Sequence, residues 1–494
     1  MPSIAAKGSA AMASRGEIAW MAGAVVLAFA SRLVYCFQRG LGAGLDHLYD
    51  DALITLRYSR NLTDGLGLVY NPGELCLGTS SPLYALLIAL PAAVGLDPLW
   101  SAVLFNIGCD AAICVLLVYL CRGLPLLQAL APGAFLLQSN ILYWSGTGME
   151  FSLLVLLGWG AVALFAAGRH GWAGVVAAAA LICRLDAPIF LAGFALLALA
   201  AAWRERRIPW RFLGGFAAAS APWWLYAFAT YGHLVPLSAR ARYLLYQSDP
   251  WGGQAVAVLA GSVWLLPAAL GAFFAWRGPA PTPTPRLSFF LRVLSLHPLF
   301  FLLAYEASGG RIYRRYQVAL DASLVVLGCW ALAVLVDQLR QAPQARRVLA
   351  SAALTACALL LGRPSAVALL YPFKEIGTPG NSVHYRAARW ISENSPPDAL
   401  LAAGNVGYLG YFAGRTIFDL NGLVSPRAFE ALARGDSRAS LLAAVKPELV
   451  ALAPEELEPL RQALADNGYV LAEKFCHPDL CYHVFKCARD AGGS

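Results

Sequence analysis

The run Tyr49-Asp50-Asp51-Ala-Leu-Ile-Thr-Leu-Arg57-Tyr58-Ser-Arg60-Asn61 holds the residue types best suited to chemistry. Two adjacent carboxylates can raise one another's pKa, which makes a better proton acceptor of one of them. Asp50 and Arg57 stand seven residues apart, two helical turns, so a helix here puts them on one face with Arg60 a turn further. A structural reading also fits. An aspartate that opens a helix is a common cap, and Asp64 can pair with Arg60 four positions away. Other reactive residues are scattered. His47, His233 and His297 have no metal-ligating partner at helical spacing and read as structural. Cys476-His-Pro-Asp-Leu-Cys481 resembles half a metal site, but no second ligand pair stands at zinc spacing. Outside the cytoplasm a disulfide within Cys476, Cys481 and Cys487 is the better assignment, and the sequence leaves the pairing open. No P-loop, dinucleotide fingerprint or Ser-His-Asp arrangement is evident, so a nucleotide-driven cytoplasmic reaction has no support.

The elements that must position the acidic pair are membrane helices. Of 494 residues, 59% are hydrophobic and only 13% charged, with a mean hydropathy of +0.58. A soluble domain is nearer a quarter charged. Apolar runs fall near 17–38, 98–121, 124–142, 150–168, 171–183, 187–203, 212–231, 254–276, 289–306, 317–338 and 347–369, and a span needs about 20 residues. The fifth and sixth meet at Arg184-Leu185-Asp186-Ala-Pro188, a tight hairpin at the outer interface. The first run is too long for a signal-peptide core and reads as the first span.

Loop charge orients the chain. With Lys7 and Arg15 inside, the loops 122–123, 169–171, 204–211, 277–288 and 339–347 are inside too, and Glu205 is their only acid. The opposite loops hold Asp46, Asp50, Asp51, Asp64, Glu74, Asp97, Glu150, Asp249 and Glu306. The net charge of +8 therefore reflects insertion, and nucleic acid is not an expected partner. Two outer segments are large. The first loop, 39–97, carries an amphipathic helix at 51–63 and an apolar stretch, 82–95, along the interface. The tail, 371–494, alternates helix-like 383–394, 428–434 and 454–466 with strand-like 399–403, 448–452 and 469–475. The expected architecture is an all-α polytopic membrane module, 1–370, with about eleven spans, followed by a small extracytoplasmic α/β domain, 371–494.

The first loop resembles that of GT-C glycosyltransferases, in the branch of bacterial arabinofuranosyltransferases and related polyprenyl-phosphate-sugar-dependent enzymes. The likeness is carried by Asp50-Asp51-Ala, Arg57-Tyr58-Ser-Arg60-Asn61, Gly65-Leu-Gly67, Asn71-Pro-Gly73-Glu74 and Gly78-Thr-Ser-Ser-Pro82-Leu-Tyr84. Weaker support comes from Gly148-Met-Glu150, Cys183-Arg184-Leu-Asp186, Tyr313-Arg-Arg315-Tyr316, Gly407-Tyr-Leu-Gly410 and Asp419-Leu-Asn-Gly422-Leu-Val-Ser-Pro426. Leu77 and Leu185-Asp186 depart from the family's residues.

The resemblance implies that an acceptor hydroxyl displaces a lipid phosphate from a sugar's anomeric carbon, with inversion. Asp50 aligns with the family's first acidic position and is expected to be the general base, with Asp51 sharing that role or positioning the acceptor. The leaving phosphate needs a fixed cation, and arginine's planar fork suits it. The candidates are Arg184, Arg240, Arg242, Arg311, Arg314 and Arg315. Arg184 could instead pair with Asp186 or snorkel, Arg57 supports the acidic motif, and Glu150 at a helix start reads as a cap more than a catalyst. A divalent cation is compatible with such a site. The expected partners are a polyprenyl-phosphate-linked sugar donor, a cell-envelope glycan, lipid or protein acceptor, and membrane lipid. The expected location is the inner cell membrane with the tail in the periplasm. A lipid-glycan transporter or flippase would place ionisable groups at mid-bilayer in repeated halves, and no halves are visible. A non-catalytic glycan-binding scaffold would not need the intact Asp50-Asp51 pair.

Overall fold

The computed structural model describes residues 15–38, 48–245, 251–278, 283–309, 311–340, 379–477 and 480–488. Lys7, Asp46, His47, Asp249 and the expected span at 347–369 lie outside the described residues. Helices dominate, and among the described residues five are long and apolar enough to cross a membrane: Arg15–Phe37, Pro98–Leu120, Ala187–Glu205, Pro285–Ser308 and Arg314–Arg340. Taking the bent pair Gln254–Ala260 and Leu265–Arg277 as one span makes six among the described residues, which does not confirm the expected count of about eleven.

Two expected spans break, each for a local reason. The run at 254–276 is two helices, Gln254–Ala260 and Leu265–Arg277, bent by 89°. Pro267 sits in the first turn of the second, where no intrahelical donor is needed. Glu306 fixes the other end, its carboxylate accepting from the amides of Gly253 (2.9 Å) and Ala255 (2.7 Å). The run at 124–142 divides at Gln138, whose extended backbone starts a new helix, Ser139–Ser145, and whose side chain caps it by accepting from the Ile141 amide. Further apolar helices, Pro125–Leu137, Phe151–Ala166 and His170–Cys183, are shorter than a bilayer crossing requires. Helix Trp210–Tyr231 carries Arg211, Ser220 and Pro222. The hairpin at Arg184–Asp186 forms as expected, between His170–Cys183 and Ala187–Glu205.

The first loop forms helix Asp50–Thr63, as its pattern predicts, and its apolar stretch forms a second helix, Pro82–Ala93. The tail is an α/β unit around a five-stranded mixed sheet: β1 (Leu400–Ala403), β2 (Thr416–Asp419), β3 (Leu449–Leu452), β4 (Tyr469–His477) and β5 (Leu480–Cys487), in the order β2-β1-β3-β5-β4. β1 pairs in parallel with β2 and β3, while β5 runs antiparallel to β3 and β4. Strands β2 and β5 and helices Val406–Ala413 and Arg438–Val445 were not expected. Each of these helices is eight residues long and only weakly amphipathic, unlike the equally short but strongly amphipathic Pro426–Ala433, which the pattern predicts. Cys476 and Cys481 form the disulfide, across the β4–β5 hairpin, and Cys487 is free.

The tail shares its core with the loop. Ile54, Tyr58, Tyr70 and Leu77 pack in one apolar cluster with Val383, Leu401, Leu409 and Tyr482. The contact turns on helix Val406–Ala413, which lies against loop helix Asp50–Thr63. Asp50 accepts from the amides of Gly407 (3.0 Å) and Tyr408 (2.8 Å), at the positive end of the tail helix. Arg57 and Arg60 donate to the carbonyls of Gly410 (2.7 Å) and Tyr411 (2.8 Å), toward its negative end. Gly407 and Gly410 make this approach possible. A Cβ on Gly407 would stand 1.9 Å from the Asp50 carbonyl oxygen, and one on Gly410 would stand 2.0 Å from the Tyr70 hydroxyl. Gly407→Ala should therefore cost about 1–3 kcal/mol by overpacking. Thermal unfolding of the purified protein beside Gly108→Ala, where a Cβ meets nothing within 4 Å, checks this. Equal melting of the two variants would mean the close approach is dispensable.

Candidate active site

Where the loop helix, the Arg184 hairpin and the segment Arg311–Tyr316 converge, they enclose a cavity of about 340 Å³. Four arginines (Arg184, Arg242, Arg311, Arg315) and three carboxylates (Asp51, Glu150, Asp186) line it, so one positive charge is left over for an incoming anion. Of the eight residues expected around the acidic pair, five (Glu150, Arg184, Arg242, Arg311 and Arg315) line this cavity and three do not.

Asp51 faces the cavity and Asp50 does not. One Asp51 oxygen receives both Arg242 Nη2 and Arg315 Nη2 at 2.9 Å. Burial pushes the Asp51 carboxyl upward, but Arg315 and then Arg242 outweigh it and hold the group below its ordinary value. Asp50 differs. Burial lifts it to about 6, with the charges of Asp51 and Asp419 adding to the rise and the Tyr408 and Gly407 amides opposing it. The cap expected of Asp50 does exist, but on the tail helix and not on its own, whose N-cap is Tyr49.

Arg184 is held on both sides. Its Nε and Nη2 reach the two oxygens of Asp186 at 2.7 and 3.0 Å, and Nη1 donates to Glu150. Its fork is filled, which agrees with the internal ion-pair reading of the sequence. Glu150 occupies the N-cap position of helix Phe151–Ala166, but its carboxylate makes no cap bond there and goes to Arg184. Arg311 is exposed, lies over the Tyr313 ring and has no ion pair among the described residues. Arg315 joins Asp51 to the Tyr49 hydroxyl, which its Nη1 reaches at 2.9 Å.

Three candidates lie off this cavity. Arg57 is committed to Gly410, Asn71 and Arg415. Arg240 covers the Phe429 ring at 4.9 Å. Arg314 lines a second cavity on the far side of Arg315. Sequence reasoning missed Ser238, whose buried hydroxyl on the first cavity has no hydrogen-bond partner among the described residues, and Leu423, which the tail places on the cavity wall. Leu423 is held by a turn in which buried Asp419 accepts from the Leu423 and Val424 amides. No sequence signal marks Ser238. His297 is buried against Ser323, a structural setting.

A divalent cation does not fit these residues. Asp51 is already engaged by two guanidinium groups, and among the described residues no three His, Cys, Asp or Glu side chains converge.

Known proteins resemble this chain in part of its sequence and in its fold. Residues 375–491 match a family described as a domain of unknown function (DUF8728), which covers less than half of the chain. No curated protein matches the sequence. Among solved structures, ArnT from Cupriavidus metallidurans bound to undecaprenyl phosphate is similar at 16% identity and a TM-score of 0.61, covering 98% of this chain and 100% of ArnT. The same protein in the apo state aligns at a TM-score of 0.59 and 14% identity, over 96% of this chain and 99% of ArnT. The arabinofuranosyltransferase AftD from Mycobacteria aligns at a TM-score of 0.53 and 15% identity, over 97% of this chain but only 40% of AftD. At such identities the likeness is one of fold alone, and the fold of this chain is GT-C-like.

Proposed function

We propose that the protein is a membrane glycosyltransferase that moves a sugar from a polyprenyl-phosphate donor to a cell-envelope acceptor. The observation that carries the reading is Asp51 held between Arg242 and Arg315 in a cavity with one positive charge to spare. A phosphate entering this cavity competes with Asp51 for the two arginines, and Arg311 and the Ser238 hydroxyl offer it further donors. Asp51 loses its counter-ions as the phosphate gains them, and its basicity rises. An acceptor hydroxyl then attacks the anomeric carbon, its proton passes to Asp51, and the carbon–oxygen bond to the phosphate breaks. The phosphate leaves with the electron pair, stabilised by the guanidinium forks. Attack opposite the leaving group inverts the anomeric centre. Asp51 takes the base role because geometry precedes pKa in choosing a base, and Asp50 holds the tail helix in place.

This reading sets the first loop and the tail on the extracytoplasmic side, with residues 1–370 as the catalytic module in the inner membrane and 371–494 as a periplasmic unit. Its test is transfer in detergent from a panel of synthetic polyprenyl-phosphate sugars, with product mass and anomeric configuration read out. Sugar transfer with an inverted anomer is the expected result. Passage of intact lipid-linked sugar across vesicles, with no glycosidic product from any donor, would favour the transporter.

A further inference from the structure

The Arg315 side chain is a wall between two cavities. On its far side lies a space of about 560 Å³ that the phosphate chemistry leaves unused. It forms where the break between the bent helices, the start of helix Ser139–Ser145 and the segment Tyr313–Gln317 meet. Its lining joins aromatic faces to hydrogen-bonding groups. Trp144 and Trp264 stand on it, and Tyr143 packs edge-on to Trp144 at 4.7 Å. Asn140 links its polar side: its oxygen accepts from Trp144 Nε1 at 3.0 Å, and its Nδ2 donates to Asp321 at 2.8 Å.

Asp321 is the observation that calls for a ligand. It opens a largely apolar helix inside a span, is nine-tenths buried and has no ion-pair partner among the described residues. A carboxylate so placed is costly and is a mark of function in membrane helices. Polar residues make up nearly half of the lining, which is unsuited to a polyprenyl or acyl chain. Indole faces with a carboxylate and carboxamide beside them suit a sugar, whose C–H face stacks on an aromatic ring while its hydroxyls donate and accept.

We propose that this second cavity binds a carbohydrate, the acceptor end of the envelope glycan. The proposal rests on the transferase reading for its place in the reaction. Arg315 supports that place: one of its nitrogens is on Tyr49, which lines this cavity, and another is on Asp51, which lines the phosphate cavity. A sugar hydroxyl at the Tyr49 wall is thus one guanidinium away from the proposed base.

Binding can be tested without turnover. Saturation-transfer NMR on the purified full chain would probe a panel of methyl glycosides (gluco-, galacto-, manno- and arabinofuranosides), with citronellyl phosphate as competitor for the phosphate cavity. At least one glycoside should bind and survive the competitor. Its affinity should fall tenfold or more in Trp264→Ala and in Asp321→Asn, and Trp264→Phe should recover most of it, which separates lost stacking from lost folding. The proposal is overturned if no glycoside binds at millimolar concentration, if both variants bind as well as wild type, or if citronellyl phosphate displaces the sugar. Specific sugar binding in a protein that transfers nothing would sustain this site while ending the transferase reading.

Discussion

Asp51→Asn should lower sugar transfer by a factor of about 100 to 10,000, the usual cost of losing a general base. Asparagine keeps the size, and its oxygen can keep both guanidinium contacts that one Asp51 oxygen now makes, so the fold should be retained with some loss of stability from the uncompensated charge of buried Arg315. Asp50→Asn is the informative partner. Asp50 lies off the cavity, and its oxygens are taken by the Gly407 and Tyr408 amides. Its amide variant should therefore weaken the docking of the tail and lower the melting temperature, with a smaller loss of turnover. A pH profile separates the two aspartates independently. In the free enzyme Asp51 is held below the ordinary carboxylate range, so kcat/KM, which reports the free enzyme, should show no inflection from it between pH 5 and 8. Were Asp50 the base, the rate would fall about tenfold per unit as pH drops below about 6, where its carboxylate takes up a proton. A stable Asp51→Asn protein with near-normal turnover, or an acid limb near pH 6 that vanishes in Asp50→Asn, would return the role to Asp50.

Arg184→Ala should produce the largest loss of stability. The arginine is 6% exposed, Glu150 1% and Asp186 22%, so its removal leaves two carboxylates side by side with little water. Breaking a buried ion pair from one side costs about 3–5 kcal/mol, chiefly because the abandoned charges remain buried. Arg184→Lys keeps one charge but cannot serve Asp186 bidentately and Glu150 at once, so it should fall between Ala and wild type. Neutralising the whole cluster (Arg184→Met with Glu150→Gln and Asp186→Asn) should recover much of the loss, since no unpaired charge is left. The readouts are yield of folded protein and unfolding midpoint. An Arg184→Ala protein that melts like wild type but no longer uses donor would instead assign Arg184 to the phosphate.

Much of this molecule was legible in its sequence because the relevant signals are local. Apolar runs identify a bundle of helices suited to a membrane, since a bilayer admits few charges. Loop helix Asp50–Thr63 is amphipathic over 14 residues, long enough for its period to be read. The Arg184–Asp186 pairing follows from two residues' separation in a turn. In the tail, length did not decide what was visible: four-residue β1 and β3 are read from their apolar runs, whereas four-residue β2 and eight-residue β5, in which polar and charged residues interrupt the run, are not.

Only the tertiary structure decided which way each charge is used. Asp50 and Asp51 are adjacent and chemically identical, but successive helical side chains diverge by about 100°. One meets the tail helix more than 350 residues away and the other meets Arg242 and Arg315. The arginines divide in the same manner: Arg314 lines only the second cavity, while its neighbour Arg315 stands between the two. Helix breaks at Gln138 and between Gln254–Ala260 and Leu265–Arg277 are invisible to hydropathy, because a bent apolar segment is as apolar as a straight one. Chemistry at this site depends on which charge stands within 3 Å of which. That is settled by long-range packing, in which each side chain's partner comes from a distant part of the chain.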